Sequence, residues 1–228
     1  MRFVLPESVT VPRDLAPLLE QSVLRPEATE AEVLQACRDA REMGLAAVCV
    51  RPGWVAAAAK ALAGAAPRVV AVVDFPQGGS RTKERVEEAR RAVADGAREV
   101  DVVLRPEPLR VRDYRGLFLD LELITARSGV PVKVILETCR WTDEQKVVAC
   151  AIAKAAGVAW VKTSTGFAEG GATAADVALL RRVVGTDIGV KASGGIRTTA
   201  EAMAMVRAGA DRLGTSAAAA ILGYVPVG

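Results

Sequence analysis

The sequence predicts an α/β fold built on one parallel sheet. Short runs rich in Val and Ala recur along the chain, and a segment with helical periodicity follows each run. Runs that are apolar at nearly every position are typical of strands buried on both faces, as in parallel sheets. Successive runs lie roughly 23 to 33 residues apart, which is the size of a β-α unit. Eight such strands would close a (β/α)8 TIM barrel, whereas fewer would form an open doubly wound sheet.

Seven strands are predicted from these runs in chain order. They are AAVCV (46–50), VVAVVD (69–74), EVDVVL (99–104), VKVILE (132–137), VAWVKT (158–163), IGVKA (188–192) and DRLGT (211–215). An eighth strand would have to come from LEQSVL (19–24), which periodicity alone does not identify as a strand. The residues by themselves therefore leave the closed barrel and the open sheet as alternatives.

The helices between the strands have marked starts and ends. Three threonines stand three residues before a Glu or Gln, which is capping-box spacing: Thr29 with Glu32, Thr142 with Gln145, and Thr198 with Glu201. Glycines occupy positions 44, 96, 157, 185 and 209, where helices commonly end in a left-handed residue. No linker interrupts the series, and we predict a single domain over residues 1–228.

Composition describes a globular protein, because 51% of the residues are hydrophobic and 25% are charged. The 30 Lys and Arg and 27 Asp and Glu are interspersed, so we expect no nucleic-acid partner. A signal-peptide pattern and a membrane-length apolar run are both missing, which predicts a cytoplasmic protein with no membrane partner. The four cysteines lack CxxC spacing, and we expect reduced, buried thiols at positions 37, 49, 139 and 150.

The chain contains no histidine, which excludes histidine-based triads, acid–base pairs and metal sites. Catalysis would have to use Lys, Asp, Glu, Cys or Tyr. Two lysines stand out, because VAWVKTSTG (158–166) and DIGVKASGG (187–195) each end an apolar run in lysine before small residues.

Strand parity places four charged side chains inside the predicted barrel. Alternate residues of a strand point inward, and barrel active sites lie at the carboxyl ends of the strands. Asp101, Lys133, Lys162 and Lys191 would then share one interior. A structural ion-pair cluster is one explanation, since buried charges must pair. The other is catalysis, because burial and a second ammonium nearby favour the neutral amine that attacks a carbonyl.

Glycines and hydroxyl residues cluster after the last three predicted strands, in STGFAEGGAT (164–173), ASGGIRT (192–198) and LGTSA (213–217). Loops of this type present backbone N–H groups at helix starts, where phosphate binds, and barrel phosphate sites commonly lie near strands 7 and 8. We therefore predict a phosphate site on these loops. Cys49, Arg51 and Asp74 end earlier strands within reach of a substrate, but the sequence gives them no role beyond that position.

These motifs together resemble the deoxyribose-phosphate aldolase family. The matching stretches cover nearly the whole chain and include AAVCVRP (46–52), GAREVDVV (96–103), VKVILET (132–138), VKTSTGF (161–167), GVKASGGIRT (189–198) and LGTS (213–216). The resemblance implies a closed (β/α)8 barrel with its first strand in residues 19–24. It also implies a class I aldolase that uses neither metal nor cofactor and interconverts 2-deoxyribose 5-phosphate with acetaldehyde and glyceraldehyde 3-phosphate. Its partners would be small phosphosugars and aldehydes, and a homodimer or larger homo-oligomer would be in keeping with the family.

The resemblance also assigns roles to residues. Lys162 would form the Schiff base, Lys191 would favour its neutral form, Asp101 would move protons through a water, and Lys133 would support Asp101. The implied substrate and phosphate contacts are Glu20, Ser22, Cys49, Thr165, Gly166, Gly171, Ser193, Gly194, Gly195, Gly214, Thr215 and Ser216.

Several positions depart from the family pattern. Glu20 stands where many members have Asp, Asp74 where Gly or Asn is usual, and Phe167 where some members have Lys; Arg105 also differs from the common residue. These changes leave two alternatives to the expected reaction: a Schiff-base aldolase with a shifted aldehyde or phosphosugar preference, and a barrel that binds a phosphosugar without turnover.

Overall fold

Eight parallel strands close into a barrel in chain order. The structure is a computed structural model, and it describes residue 10 and residues 12–224. All seven predicted strands are present, and LEQSVL supplies the eighth, so the resemblance assigned the first strand correctly. The strands are β1 (Leu19–Val23), β2 (Ala47–Val50), β3 (Arg68–Val73), β4 (Glu99–Val103), β5 (Val132–Ile135), β6 (Trp160–Lys162), β7 (Gly189–Ser193) and β8 (Arg212–Thr215). The open sheet is excluded because β1 pairs with both β2 and β8.

Helices alternate with the strands and cover the outside of the barrel. They are α1 (Glu30–Met43), α2 (Val55–Ala61), α3 (Thr82–Ala94), α4 (Pro106–Arg110), α5 (Tyr114–Ser128), α6 (Asp143–Ala155), α7 (Ala174–Val184), α8 (Thr199–Arg207) and α9 (Ala218–Leu222). Short 3-10 helices precede β1 (Pro12–Leu18) and follow β2 (Pro52–Trp54) and β5 (Thr138–Arg140). Within the described chain no helix is long and apolar enough to cross a bilayer.

The predicted helix caps are confirmed. In all three threonine pairs the Thr hydroxyl accepts the third residue's N–H, and the Glu or Gln side chain accepts the Thr backbone N–H. Each box satisfies two N–H groups that a helix start otherwise leaves unpaired. The five predicted end glycines all have positive φ, but Gly185, with ψ of −141°, lies outside the left-handed helical region. The local signals thus set where each unit starts and stops.

The barrel interior is divided into an apolar and an ionic part. The outward faces of the strands pack with the helices into the main core, which includes Val48, Val102 and Val161. Inside the barrel a smaller apolar cluster is formed by Leu24, Ala47, Cys49, Val70 and Val72, on the side of β2 and β3. The opposite side of the interior holds the charged residues of β4 to β8. Strand parity therefore predicted the inward-facing residues correctly.

The cysteine prediction is only partly right. Cys37, Cys49 and Cys150 are buried, and all four thiols are free. Cys139 is exposed, because it lies in the 3-10 helix after β5 rather than in a strand or packed helix.

Close packing inside the barrel depends on one glycine. Trp160 of β6 is buried and lies beside Gly189 of β7, its partner in the strand register. A Cβ at position 189 would come within 2.0 Å of the Trp160 ring. The guanidinium of Arg212 lies 5.2 Å from the ring centroid of the same tryptophan, on the β8 side. The indole therefore fills the space that a side chain at position 189 would need.

We predict that Gly189→Ala lowers the free energy of unfolding by about 1–3 kcal/mol, because overpacking forces Trp160 out of its position. Urea unfolding followed by circular dichroism measures the change. Gly53→Ala is the matched control, since its added Cβ has no neighbour within 4 Å. Equal midpoints for the two variants would contradict the packing argument.

Candidate active site

Two lysines lie side by side inside the barrel. Lys162 of β6 and Lys191 of β7 are partners in the strand register, as the two sequence motifs suggested. Their relative exposures are 2% and 0%, so both ammonium groups are withdrawn from bulk water. Burying a charged lysine is costly unless a carboxylate compensates for the lost hydration.

Asp101 of β4 supplies that carboxylate to three lysines at once. Its Oδ2 accepts hydrogen bonds from the Nζ atoms of Lys162 and Lys191, each at 2.8 Å, and its Oδ1 accepts one from Lys133 Nζ at 3.0 Å. Burial alone would raise the pKa of Asp101, but the three lysines lower it well below its usual value. The carboxylate is therefore ionised and acts as the centre of the cluster. The four residues predicted from strand parity do converge.

Glu20 of β1 belongs to the same cluster. It accepts a short hydrogen bond from Lys191 Nζ and one of 3.2 Å from Arg212, and it lies 3.6 Å from Lys133 Nζ. Burial would raise the pKa of Glu20, but Lys133 and Lys191 lower it to about 2. The glutamate thus serves as a counter-ion inside the barrel, since it is fully buried and is not among the residues that line the cavity.

The carboxylates also hold the supporting lysines in the charged state. Burial would lower the pKa of Lys191, yet Asp101 and Glu20 raise it above its usual value. The pKa of Lys133 is raised in the same way, because Asp101 and Glu20 together outweigh its burial. Lys191 thus remains an ammonium beside Lys162 throughout the neutral range.

Sequence reasoning missed two members of this network. Glu99 lies 2.5 Å from Lys133 Nζ and also pairs with Arg68 at 2.7 Å near the other end of the barrel. Arg212 of β8 pairs with Glu20. Strand parity could have identified both residues. Glu99 lies two residues before Asp101, and Arg212 lies two residues before Gly214, so each faces the barrel interior. The signal was weak, since a charge at the first residue of a strand usually faces solvent.

Lys162 differs from the other lysines of the cluster in its contacts and in its position. Among the described residues the cluster contains three carboxylates and five cations: Glu20, Glu99 and Asp101, with Arg68, Lys133, Lys162, Lys191 and Arg212. Lys162 contacts only one of these carboxylates, Asp101, whereas Lys191 contacts two. Lys162 is also the member of the cluster that lines the cavity. It is therefore the lysine of the cluster best placed to meet a substrate.

A cavity of about 650 Å³ opens above Lys162 at the carboxyl ends of the strands. Most of the predicted phosphate residues line it: Ser22, Thr165, Gly166, Ser193, Gly194, Gly195, Gly214, Thr215 and Ser216. The N–H groups of Gly195 and Ser216 donate no hydrogen bond to any described residue. Free N–H groups on glycine-rich loops are suited to phosphate oxygens.

Gly171 and Cys49 are not among the described residues that line this cavity. Gly171 packs under the β7 loop, where a Cβ would lie 2.3 Å from the carbonyl oxygen of Gly194. It therefore supports the glycine-rich loop after β7 but does not line the cavity. Cys49 is fully buried in the inner apolar cluster, and burial raises the pKa of its thiol to about 11. A thiol in that state is a poor nucleophile.

A further residue that sequence reasoning did not identify as part of the site is Glu137, which follows β5. It is buried and has a left-handed backbone with φ of 56°. Its carboxylate accepts hydrogen bonds from the hydroxyl of Thr165 and, at 3.1 Å, from its backbone N–H. Strained backbone of this kind is often kept where it positions a functional loop. Glu137 thereby fixes the loop between β6 and α7 at the rim of the cavity.

The side chains present do not suit a metal ion. Glu20, Cys49 and Asp101 have donor atoms within 4.8 Å of one another, which is compatible with metal-ligand spacing. Lysine ammonium groups already bind both carboxylates, however, and Cys49 keeps its proton. A metal ion placed there would have to displace the side-chain nitrogens of three lysines, which lie at close range. The arrangement favours amine chemistry.

Comparisons with known proteins agree with this geometry. A model of the DeoC/LacD family aldolases matches residues 18–223. Curated deoxyribose-phosphate aldolases of Listeria welshimeri and Brevibacillus brevis are 45% and 44% identical to this chain over 210 and 205 residues. These alignments cover 91% and 90% of this chain, and 94% and 93% of the relatives.

Solved structures of aldolases are also similar to this chain. A structure described as a putative deoxyribose-phosphate aldolase from Coccidioides immitis has a TM-score of 0.91 and 37% identity, covering 94% of this chain and 86% of that one. The tetrameric deoxyribose phosphate aldolase from Aeropyrum pernix has a TM-score of 0.87 and 30% identity, covering 95% and 93%. The fold, the lysine cluster and the matched residues lead to one conclusion: this chain belongs to the DeoC/LacD family of aldolases.

Proposed function

We propose that this protein cleaves 2-deoxyribose 5-phosphate reversibly to acetaldehyde and glyceraldehyde 3-phosphate through a Schiff base on Lys162. The observation that carries the proposal is the shared carboxylate of Asp101, which lies 2.8 Å from both Lys162 and Lys191 beneath a cavity rimmed by glycine loops. The identities of 44–45% to curated deoxyribose-phosphate aldolases support the choice of substrate.

The reaction begins when the neutral amine of Lys162 attacks the C1 aldehyde of the open-chain sugar. Loss of water gives a protonated imine, which draws electrons from the neighbouring carbon–carbon bond. Removal of the C3 hydroxyl proton then breaks the C2–C3 bond, so glyceraldehyde 3-phosphate leaves and an enamine remains on Lys162. Protonation of the enamine at C2 and hydrolysis of the imine release acetaldehyde and restore the amine.

The neighbours of Lys162 supply the proton transfers. Asp101 is ionised and accepts hydrogen bonds from Lys162 and Lys191, so it can take a proton through a water while Lys191 returns one. Lys133 holds the other Asp101 oxygen in place. In this scheme Asp101, Lys191 and a water carry out the proton transfers, so no histidine is needed.

The phosphate is assigned to the glycine-rich loops after β6, β7 and β8. Four glycines line the cavity there, Gly166, Gly194, Gly195 and Gly214, and their lack of a side chain leaves the backbone accessible. Arg25 and Arg197 also line the cavity, together with Glu32 and Asp39, and Arg25 pairs with Glu32. Non-catalytic binding of a phosphosugar is the less favoured alternative, because binding alone does not require a buried lysine pair sharing one carboxylate.

Homo-oligomerisation is proposed on separate grounds. The relative from Aeropyrum pernix is tetrameric and matches 95% of this chain. Leu119 and Leu123 of α5 and Val147 of α6 are large apolar side chains that remain at least a third exposed. A second copy of the chain would cover such side chains.

We predict that borohydride reduction in the presence of 2-deoxyribose 5-phosphate traps an adduct on Lys162. Lys162→Ala should abolish the adduct and lower kcat by about 10³-fold or more, because no other lysine is placed to form the imine. Peptide mass spectrometry locates the adduct. Lys60→Ala is the control, since Lys60 is exposed on α2. An adduct that persists in Lys162→Ala would refute the assignment.

We also predict that Lys191→Leu moves the acid limb of the pH–rate profile to higher pH. The substitution removes the ammonium group of Lys191 and leaves the negative charges of Glu20 and Asp101 less compensated. These charges then stabilise the protonated form of Lys162. The neutral amine then becomes available only at higher pH. The profile of kcat/KM against pH measures the shift.

A double variant tests the charge balance behind this prediction. Glu20→Gln with Lys191→Leu removes one anion and one cation, so the acid limb should return toward its wild-type position. Circular dichroism confirms that each variant is folded. An acid limb that stays in place in Lys191→Leu would contradict the role of the lysine pair.

A further inference from the structure

Three side chains meet at the mouth of the barrel: Arg51, Phe75 and Phe167, which together form the mouth bridge. The rings of Phe75 and Phe167 contact edge to face, with centroids 5.2 Å apart and an interplanar angle of 88°. The Arg51 guanidinium carbon lies 5.5 Å from the Phe75 centroid and 5.9 Å from the Phe167 centroid. Both distances are within the range of cation–π contact.

The mouth bridge joins loops from different sides of the barrel. Arg51 follows β2 and Phe75 lies just after β3, whereas Phe167 is in the loop after β6. In a closed barrel of eight strands in chain order, β2 and β6 lie opposite each other. The contact therefore spans the mouth instead of connecting neighbouring loops.

Each end of the mouth bridge is anchored. Arg51 Nε donates a hydrogen bond of 2.7 Å to the carbonyl oxygen of Leu24. Phe75 packs on the inner apolar cluster of the barrel. The backbone N–H of Phe167 donates to the Thr165 hydroxyl at 3.1 Å, and Glu137 holds that hydroxyl in turn. The three side chains are thus fixed by the scaffold on both sides of the mouth.

The loop that carries Phe75 is held as well. Asp74 has a left-handed backbone with φ of 53°, and its carboxylate accepts hydrogen bonds from the hydroxyl and N–H of Ser80. The buried guanidinium of Arg85 lies 3.3 Å from the same carboxylate. Asp74, which departs from the family pattern, therefore holds the loop on which the mouth bridge rests.

The cavity stops at the mouth bridge. Its described lining comes from β1, α1 and the loops after β6, β7 and β8, and it includes no residue between Asp39 and Lys162. Phe167 is the member of the mouth bridge that lines the cavity, and Phe75 and Arg51 lie behind it. Phe167 is 45% exposed, so its ring is held by these two contacts more than by burial.

We propose that the mouth bridge is the specificity-determining wall on the side of the cavity facing β2 and β3, and that it restricts the acceptor aldehyde to compact molecules directed toward the glycine loops. This inference rests on the proposed function, because it concerns the acceptor in the synthetic direction. There the enamine carbon on Lys162 attacks the acceptor carbonyl carbon, the new carbon–carbon bond forms, and the carbonyl oxygen takes up a proton. Water then hydrolyses the imine and frees Lys162.

A bulky acceptor tests the wall directly. The measured quantity is the ratio of kcat/KM for 3-phenylpropanal to kcat/KM for glyceraldehyde 3-phosphate, with acetaldehyde as the donor. Phe167→Ala should raise this ratio about tenfold or more, since the space of several carbon atoms opens beside the acceptor. Tyr114→Ala is the matched control, because Tyr114 is also an aromatic residue, is 38% exposed at the start of α5 and is not among the described residues that line the cavity. Its ratio should equal that of the wild type.

Arg51 tests whether the wall depends on the cation behind it. Arg51→Met keeps much of the side-chain bulk but removes the guanidinium, so the ratio should rise in the same direction by a smaller factor. In the double variant Arg51→Met with Phe167→Ala, the ratio should not exceed that of Phe167→Ala, because Arg51 acts through the ring. Circular dichroism checks that the variants are folded.

Two results would overturn the mouth bridge as a wall: an unchanged ratio in Phe167→Ala, or an Arg51→Met effect that appears in full in the double variant. A wild type that gives neither product with any acceptor nor a trapped adduct on Lys162 would instead refute the proposed function, and the inference that rests on it would fall with it.

Discussion

The carboxylate of Asp101 is the constraint on which the interior of this barrel depends. It accepts hydrogen bonds from lysines on β5, β6 and β7, so one side chain ties four consecutive strands together across their inner faces. Isolated buried lysines would lose their hydration without compensation. Because each of them shares this carboxylate, the strands can carry ammonium groups where apolar side chains would otherwise fill the barrel.

The ion pairs that compensate for the burial of these lysines also set the charge of Lys191. Asp101 and Glu20 hold Lys191 in its charged form, and that ammonium lies beside Lys162 in the strand register. One geometry therefore provides both the ionic pairing and the lysine arrangement on which the proposed Schiff-base chemistry rests. The two explanations of the lysines that the sequence left open, structural and catalytic, turn out not to exclude each other.

The rim is built on a different principle from the interior. Glycines and hydroxyl residues after β6, β7 and β8 leave backbone N–H groups accessible, whereas Phe167 of the loop after β6 contacts Arg51 and Phe75 of the loops after β2 and β3. Buried residues behind the rim, Glu137 and Arg85, hold these loops through carboxylate hydrogen bonds and ion pairs. The scaffold thus separates the buried charged cluster from the residues at the mouth of the barrel, to which we assign substrate preference.

The sequence by itself determined the units of this fold and most of its site. Apolar runs located seven strands, threonine boxes located three helix starts, and strand parity placed Asp101, Lys133, Lys162 and Lys191 on inner faces, since these signals are local and repeat with a fixed period. The first strand needed the family resemblance, because Glu20, Gln21 and Ser22 interrupt its apolar pattern. Only the tertiary structure decided which charges meet: the contact of Glu20 with Lys191 joins residues 171 positions apart, and Arg51 reaches Phe167 only because the barrel closes. Contacts across a closed barrel depend on strand register and loop path, and neither leaves a periodic trace in the chain.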